Sequence, residues 1–285
     1  MINTLLSLGH GFSARALTPL LLSQGWRIFG TTRNADKAEA IRDSGVTPLI
    51  WPGTDLPLDQ ASHLLISAGP TADGDPVLAM LRETIAVYAD HFDWVGYLSA
   101  TGVYGDHQGG WVDEATPLTP ATRRGTWRVA AEADWQSIPG LPLHIFRLAG
   151  IYGPGRDPLT KVKNGTARQI IKPGQVFNRI HVDDIAQVLR ASIARPNPGA
   201  IYNLCDDAPS PPQDVIVHAA ELLGVPLPPA VPFETADMTP MAHSFYVESK
   251  RVRNDRIKNE LGITLRYPDY RTGLAALLDA EHAAD

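Results

Sequence analysis

Residues 5–17, Leu5-Leu6-Ser7-Leu8-Gly9-His10-Gly11-Phe12-Ser13-Ala14-Arg15-Ala16-Leu17, decide how the rest of the chain is read. Asn3 to Leu8 is an apolar run of strand length, and Ser13 to Gln24 has the apolar spacing of a helix, so Gly9 and Gly11 occupy the turn between them. Each residue type has its own physical reason. Gly9 permits a tight turn, Gly11 lets a phosphate approach the backbone, and Ala14 lets the helix pack close to the strand. The helix N-terminus presents unpaired N–H groups and the positive end of its dipole to an anion. The Gly-x-Gly-x-x-Ala spacing in this context predicts a dinucleotide site at Gly9, His10, Gly11, Phe12 and Ser13, with Arg15 reaching the phosphates from the helix.

Beyond this turn the chain alternates short apolar runs with helix-like stretches, the rhythm of a parallel sheet covered on both faces. Further strands are expected at Arg27 to Thr31, Thr47 to Trp51, His63 to Ser67, Trp94 to Ser99 and Leu143 to Arg147. Helices are expected at Ala35 to Ser44, Val77 to His91 and Gly125 to Gln136. After Gly150 the texture changes to loops rich in Pro, Gly and charge. A helix is expected over Ile180 to Ile193, approached by a short strand, then a strand at Ile201 to Leu204 and helices at Gln213 to Leu223 and Ser249 to Leu261. The expected fold class is α/β, a Rossmann-type doubly wound parallel sheet with a smaller, interleaved C-terminal substrate subdomain. Residues 1–150, joined by 178–205, form the nucleotide domain in this reading, and 151–177 with 206–285 form the smaller one.

The composition sets limits on function. The chain has 285 residues, 44% hydrophobic and 20% charged, the balance of an ordinary globular protein. No apolar run approaches the roughly 18 residues needed to span a bilayer, and Met1 to Leu8 lacks the features of a secretory signal, so a cytoplasmic location is expected. A net charge of −6 provides no global attraction for nucleic acid or an anionic membrane. The single cysteine, Cys205, forms no intrachain disulfide, and no metal-ligand spacing is present. The expected partner is a small molecule.

The second strand ends in Gly30-Thr31-Thr32-Arg33, where an NAD site usually carries an acidic residue on the ribose hydroxyls. Arg33 instead offers a guanidinium fork suited to a 2′-phosphate, and Thr31 and Thr32 offer hydroxyls, so the expected cofactor is NADP rather than NAD. By position, Asp55 after the third strand and Ser67, Ala68 and Gly69 after the fourth belong near the adenine and its ribose.

Four further motifs arrive in order: Leu98-Ser99-Ala100-Thr101-Gly102-Val103-Tyr104-Gly105, Asp113-Glu114-Ala115-Thr116-Pro117, residues 147–156 (Arg147-Leu148-Ala149-Gly150-Ile151-Tyr152-Gly153-Pro154-Gly155-Arg156) and Arg179-Ile180-His181-Val182-Asp183-Asp184. This series resembles the extended short-chain dehydrogenase/reductase family, the NAD(P)-dependent epimerases, dehydratases and related reductases. The resemblance covers nearly the whole chain. It implies an NAD(P) cofactor flanked by Ser99, Ala149 and Gly150, a His181-Asp183 motif that ties the domains together, and a homodimer built on two helices per subunit. Trp127 and Trp135 stand as bulky residues on that helical face.

Family chemistry rests on a Ser/Thr with a Tyr and a Lys spaced Tyr-x-x-x-Lys, the phenol exchanging a proton while hydride moves to or from the nicotinamide. Aligned on Gly125 and Ala130-Ala131-Glu132, this chain has Arg124 at the Tyr position, Arg128 at the Lys position and Ala100 at the Ser position. A guanidinium stays charged at any accessible pH and cannot replace a phenol as proton donor. This loss resembles the atypical branch of the family, and Lys250-Arg251-Val252-Arg253-Asn254 with Tyr267 to Leu274 resembles a bacterial group of epimerase-like proteins. Thr101 and Tyr104 are the hydroxyls expected near the nicotinamide, and Tyr104 packing under the fold is the competing expectation. Arg124, Arg128 and Arg156 are candidate ligands for an anionic or sugar-type substrate, against an exposed basic helix face for the first two. Lys161, Arg168 and Lys172 fall in the loop region that closes over substrate in the family. The expected function is an NADP-dependent epimerase/dehydratase-like oxidoreductase, and the alternative is a non-enzymatic NADP-binding sensor.

Overall fold

The structure is a computed structural model that describes residues 2–283. Its first half runs β1 (Thr4–Leu8), α1 (Phe12–Leu22), β2 (Arg27–Thr32), α2 (Ala38–Asp43), β3 (Thr47–Ile50), β4 (His63–Ile66), α3 (Leu78–Val87), β5 (Trp94–Ala100), β6 (Trp111–Val112), α4 (Arg123–Gln136) and β7 (Leu143–Leu148). The second half adds β8 (Gly150–Tyr152), α5 (Pro158–Lys163), β9 (Gln169–Ile171), β10 (Arg179–His181), α6 (Val182–Ala194), β11 (Ile201–Leu204), α7 (Pro212–Leu223), β12 (Ala230–Pro232), α8 (Pro240–Ser244), β13 (Arg251–Val252), α9 (Asp255–Leu261) and α10 (Tyr270–His282).

Seven strands form one parallel sheet in the order β11-β7-β5-β4-β1-β2-β3. The strands anticipated from apolar runs are the ones that build it. The order reverses between β1 and β4, the switch point at which open α/β sheets leave a crevice beyond the strand ends. Successive side chains of a strand face opposite ways, so β1 feeds two cores. Leu5 packs with Leu17 and Leu21 of α1 and Ile185 and Leu189 of α6. Leu6 and Leu8 pack on the other face with Ile85 of α3 and Ala131 and Trp135 of α4. Trp135 is fully buried there and its indole N–H donates to Asp75 Oδ2 at 3.2 Å, so it belongs to the core and not to an outer helical face.

A separate apolar cluster joins Leu159 and Val162 of α5, Val215 and Ala219 of α7, and Tyr270, Leu274 and Leu277 of α10. This cluster does not take in all of the chain's last quarter. Ile257, Leu261, Ile263 and Leu265 pack in the larger core beside α6 and β11, so part of residues 206–285 is built into the sheet layer. The expected helix from Ser249 also begins late. Arg251 N donates to Gly110 O at 2.8 Å and Arg253 N to Val112 O at 2.9 Å, making β13 a partner of β6, and α9 starts only at Asp255. Pairing with a distant segment overrides the local periodicity. The C-terminal α10 was not anticipated; Asp269 caps it by accepting from Thr272 N at 2.8 Å.

His181 and Asp184 show how the chain's last quarter is fastened. His181 Nδ1 accepts from Asp183 N at 3.1 Å at the start of α6, and its ring packs against Tyr152 and Tyr267. The Asp184 carboxylate accepts from Arg266 N at 2.7 Å and Tyr267 N at 3.0 Å. Among the described residues, no helix is long and apolar enough to cross a membrane, and no group of His, Cys, Asp and Glu is arranged to hold a metal.

Candidate functional site

Gly9 has φ +87°, and a Cβ there would lie 2.8 Å from Ala68 N, so both conformation and space require glycine. The turn is clamped from both neighbours: Gly9 N donates to Thr31 Oγ1 at 2.7 Å, His10 N donates to Thr31 O at 2.9 Å, and Ser67 Oγ donates to Gly9 O. Gly11 has ordinary backbone geometry, and a Cβ there would meet only Gly9 O at 3.8 Å. No side chain caps α1 at Gly11, so its first N–H groups face open space. That space is a cavity of about 980 Å³ lined by Gly9, Gly11, Phe12 and Ser13.

The same cavity is lined by Ser67 after β4, Ser99, Ala100 and Thr101 at the end of β5, and Ala149 and Gly150 between β7 and β8. Arg124 and Arg128 of α4 and Arg156 and Lys161 near α5 also line it. Arg124, which is exposed, and Arg128, which is half-buried, therefore both line the cleft. The Arg124 guanidinium donates to Ser244 Oγ at 2.9 Å and lies 5.1 Å from the Phe245 ring centre. Arg128 donates to Leu98 O at 2.5 Å, lies 5.9 Å from the Tyr97 ring centre, and is 3.1 Å from where a Cβ on Gly69 would sit. It thus bridges the ends of β4 and β5. Arg156 lies 5.8 Å from the Phe12 ring centre.

Several expected residues sit elsewhere. Tyr104 does not line the cavity; it is fully buried, donating to Asn203 Oδ1 at 2.7 Å and accepting from Arg147 Nη1 at 3.0 Å. Burial pushes its phenol up to about 12, so it stays protonated among these fixed partners. Thr31 is likewise spent inside, its hydroxyl supporting Gly9 and not facing a ligand. The His10 ring is buried, and a Cβ on Gly30 would meet it at 2.7 Å; burial and the nearby Arg15 charge pull its pKa down to about 4, so it is neutral. Arg15, Arg33 and Asp55 are exposed and outside the cavity lining; the half-buried Thr32 is outside it too, its hydroxyl accepting from Asn34 N at 3.2 Å. Ala68 and Gly69 contribute backbone, against Gly9 and Arg128. Arg168 donates to Asp237 O at 2.8 Å and Lys172 to Tyr246 O, so of those loop cations only Lys161 lines the cavity.

The structure adds lining residues that motif reading missed: Arg179, Glu248 and Lys250. Arg179 and Lys250 were visible inside quoted motifs, but nothing in the spacing says which way they point. Arg179 is held by Phe177 O at 3.1 Å, and burial lowers its pKa against the opposing pull of Asp206. Buried beside it, Asp206 is pushed up to about 8. Six lining cations, Arg124, Arg128, Arg156, Lys161, Arg179 and Lys250, face two lining carboxylates, Asp157 and Glu248. Asp157 is occupied in capping α5, accepting from Thr160 N at 2.9 Å, so the cavity favours an anion.

A parallel sheet of this order with a glycine turn and an uncapped helix at its switch point defines a dinucleotide-type α/β fold. No family model matches the chain. It is 31% identical over 278 residues to Protein YeeZ of Escherichia coli (strain K12), covering 92% of this chain and 95% of that one. It is similar to a functionally unknown conserved protein from Silicibacter pomeroyi DSS, at 66% identity, TM-score 0.96, and 98% and 99% coverage of this chain and that one. The dTDP-glucose 4,6-dehydratase of Bacillus anthracis, solved in complex with NAD, shares the fold at TM-score 0.77 and 17% identity, with 100% and 98% coverage. The chain belongs to the family of Protein YeeZ, and its fold is that of the NAD-dependent epimerases and dehydratases, the extended short-chain dehydrogenases/reductases.

Proposed function

We propose that the chain binds NADP and acts as an epimerase/dehydratase-like oxidoreductase on a small anionic, sugar-type molecule, without the family's Ser-Tyr-Lys relay. One observation carries the reading: the free N-terminus of α1 at Gly11 to Ser13 opens into the same cavity as Thr101 and the cations Arg124, Arg128 and Arg156. The Cβ-free space at Gly11 and the positive end of α1 fit a pyrophosphate. Ser67, Ser99, Ala149 and Gly150 line the path the rest of a dinucleotide takes in this reading. A bound nicotinamide would supply hydride transfer. The NAD complex of the Bacillus anthracis dehydratase supports the nicotinamide assignment. Arg33, exposed directly after β2 with no acidic residue beside it at the strand end, supports NADP over NAD.

In this proposal Thr101 is the hydroxyl that exchanges a proton with substrate, since it lines the cavity one residue past Ala100 while Tyr104 does not. Arg124, Arg128 and Arg156 hold the substrate's anionic group. The division into a nucleotide unit and a smaller substrate unit around α5, α7 and α10 is part of the same reading. A second reading, an NADP-binding sensor without turnover, is favoured by the withdrawal of Tyr104 from the cavity.

Calorimetric titration tests the cofactor. Wild type is expected to bind NADP about tenfold or more tightly than NAD, and Arg33→Asp to abolish that preference. Equal wild-type affinities overturn the NADP assignment, and binding of neither overturns the whole reading. NADPH consumption against a panel of carbonyl and sugar-nucleotide compounds then separates enzyme from sensor.

A further inference from the structure

The segment entering β13 places an ion pair in the cavity that the proposed function does not use. Lys250 Nζ donates to Glu248 Oε2 at 2.6 Å and to Gly105 O at 2.7 Å, and the two side chains are only 7% and 10% exposed. Their backbone is fixed on three sides. Gln175 Nε2 donates to Glu248 O at 2.6 Å, Ser249 N donates to Asp106 Oδ1 at 2.7 Å, and Asn178 Nδ2 donates to Lys250 O at 2.9 Å. Gly105 directly follows the turn that carries Thr101, so Lys250 ties the Glu248 carboxylate to that segment.

Only half of the Glu248 carboxylate is satisfied. Oε1 is enclosed and has no hydrogen-bond partner among the described residues, although Glu248 lines the cavity. A buried acceptor without a donor is costly, and more so when it carries charge. A ligand hydroxyl that meets it once the carboxylate turns toward the cavity removes that cost, and an anionic group on the same ligand meets the exposed cations Arg156 and Lys161.

We propose that Glu248 is a substrate-binding residue whose Oε1 accepts a hydrogen bond from a hydroxyl of a phosphorylated polyol or sugar, with Lys250 as the residue that positions it. This rests on the cavity being the substrate site of the proposed function, and it names the chemistry recognised there: an anion at one end and a hydroxyl at the other.

Two probes separate those ends: glucose 6-phosphate, which carries an anion and hydroxyls, and inorganic phosphate, which carries the anion alone. Each is titrated into NADP-saturated full-length protein, after NADP affinity has been measured on the same samples. Wild type is expected to bind glucose 6-phosphate about tenfold more tightly than phosphate. Glu248→Gln is expected to bring the two affinities together while leaving those for phosphate and NADP unchanged. Lys250→Met is expected to lose the same discrimination and Lys250→Arg to restore it, which a purely structural role for Lys250 does not produce. Glu248→Asp retains the charge, and an intermediate discrimination there reads the proposal even if the Gln variant folds poorly. Absence of discrimination in wild type, or its persistence in the folded Glu248→Gln protein, overturns the assignment. Loss of NADP binding with discrimination intact overturns the cofactor reading and leaves this one standing.

Discussion

Arg147 of β7 and Glu132 of α4 form an ion pair 2.7 Å long, with side chains 3% and 2% exposed. The second guanidinium edge reaches Tyr104, which passes on to Asn203, whose own N–H donates to Glu114 Oε1 at 2.8 Å. A polar chain thus runs from α4 through the end of the sheet. Removing one partner of a buried pair leaves the other charge enclosed and uncompensated. Glu132→Gln and Arg147→Met are each expected to lower stability by about 3–5 kcal/mol in urea titrations. The double variant Glu132→Gln/Arg147→Met is expected to lose less than the sum of the two; strict additivity refutes the coupling.

Tyr104→Phe separates structure from chemistry. It is expected to cost about 1–3 kcal/mol of stability, because it leaves Asn203 Oδ1 without its donor. NADP affinity and any turnover found in the substrate panel are expected to be retained, because the phenol does not line the cavity. Thr101→Val is expected to keep the fold and lower that turnover by about 100-fold. The reverse ranking in rate assays returns the proton-donor role to Tyr104.

The two glycines of the turn are expected to fail differently. Gly9→Ala forces a Cβ against Ala68 N in a left-handed conformation, costing about 1–3 kcal/mol and weakening NADP binding. Gly11→Ala meets no protein atom closer than 3.8 Å, so its melting temperature is expected to match wild type while NADP affinity falls. A Gly11→Ala protein that binds NADP normally rules out the pyrophosphate position.

Buried titrating groups give stability opposing pH dependences. Asp206, raised to about 8 by burial, favours its protonated form in the native state. Its contribution is complete below the ordinary carboxylate range and is lost as pH rises from about 4 to 8. His63, lowered by burial to about 4, favours its neutral form, so its contribution is complete above about 6.5 and is lost as pH falls towards 4. Melting temperatures across pH 4 to 8.5, roughly the span in which both groups titrate, are expected to show Asp206→Asn gaining on wild type with rising pH. His63→Gln is expected to gain on wild type as pH falls. Parallel curves for the three proteins show that neither group titrates as its burial requires.

The central sheet was legible because its signals are local. Apolar runs such as Leu5 to Leu8 and Trp94 to Leu98 report burial on both faces whatever they pack against, and Gly9 and Gly11 report a backbone requirement no distant contact changes. The β13 segment was misread as helix because its conformation is imposed by Gly110 and Val112, about 140 residues earlier. Tyr104 and Thr101, three residues apart, had equal claims as sequence. One turn of chain sends one hydroxyl into the core beside Arg147 and the other to the cavity.

By itself, the sequence determined the parallel α/β sheet, the glycine turn at its first helix and the absence of the usual phenol and ammonium at Arg124 and Arg128. Those are properties of residue type and spacing along the chain. Tertiary structure alone decided that Arg124 and Arg128 face the cleft, that Tyr104 and Thr31 do not, and that Glu248 and Lys250 join them from over a hundred residues away. The physical reason is that a side chain's direction and partners depend on which distant segments pack around it, and local sequence carries no record of that.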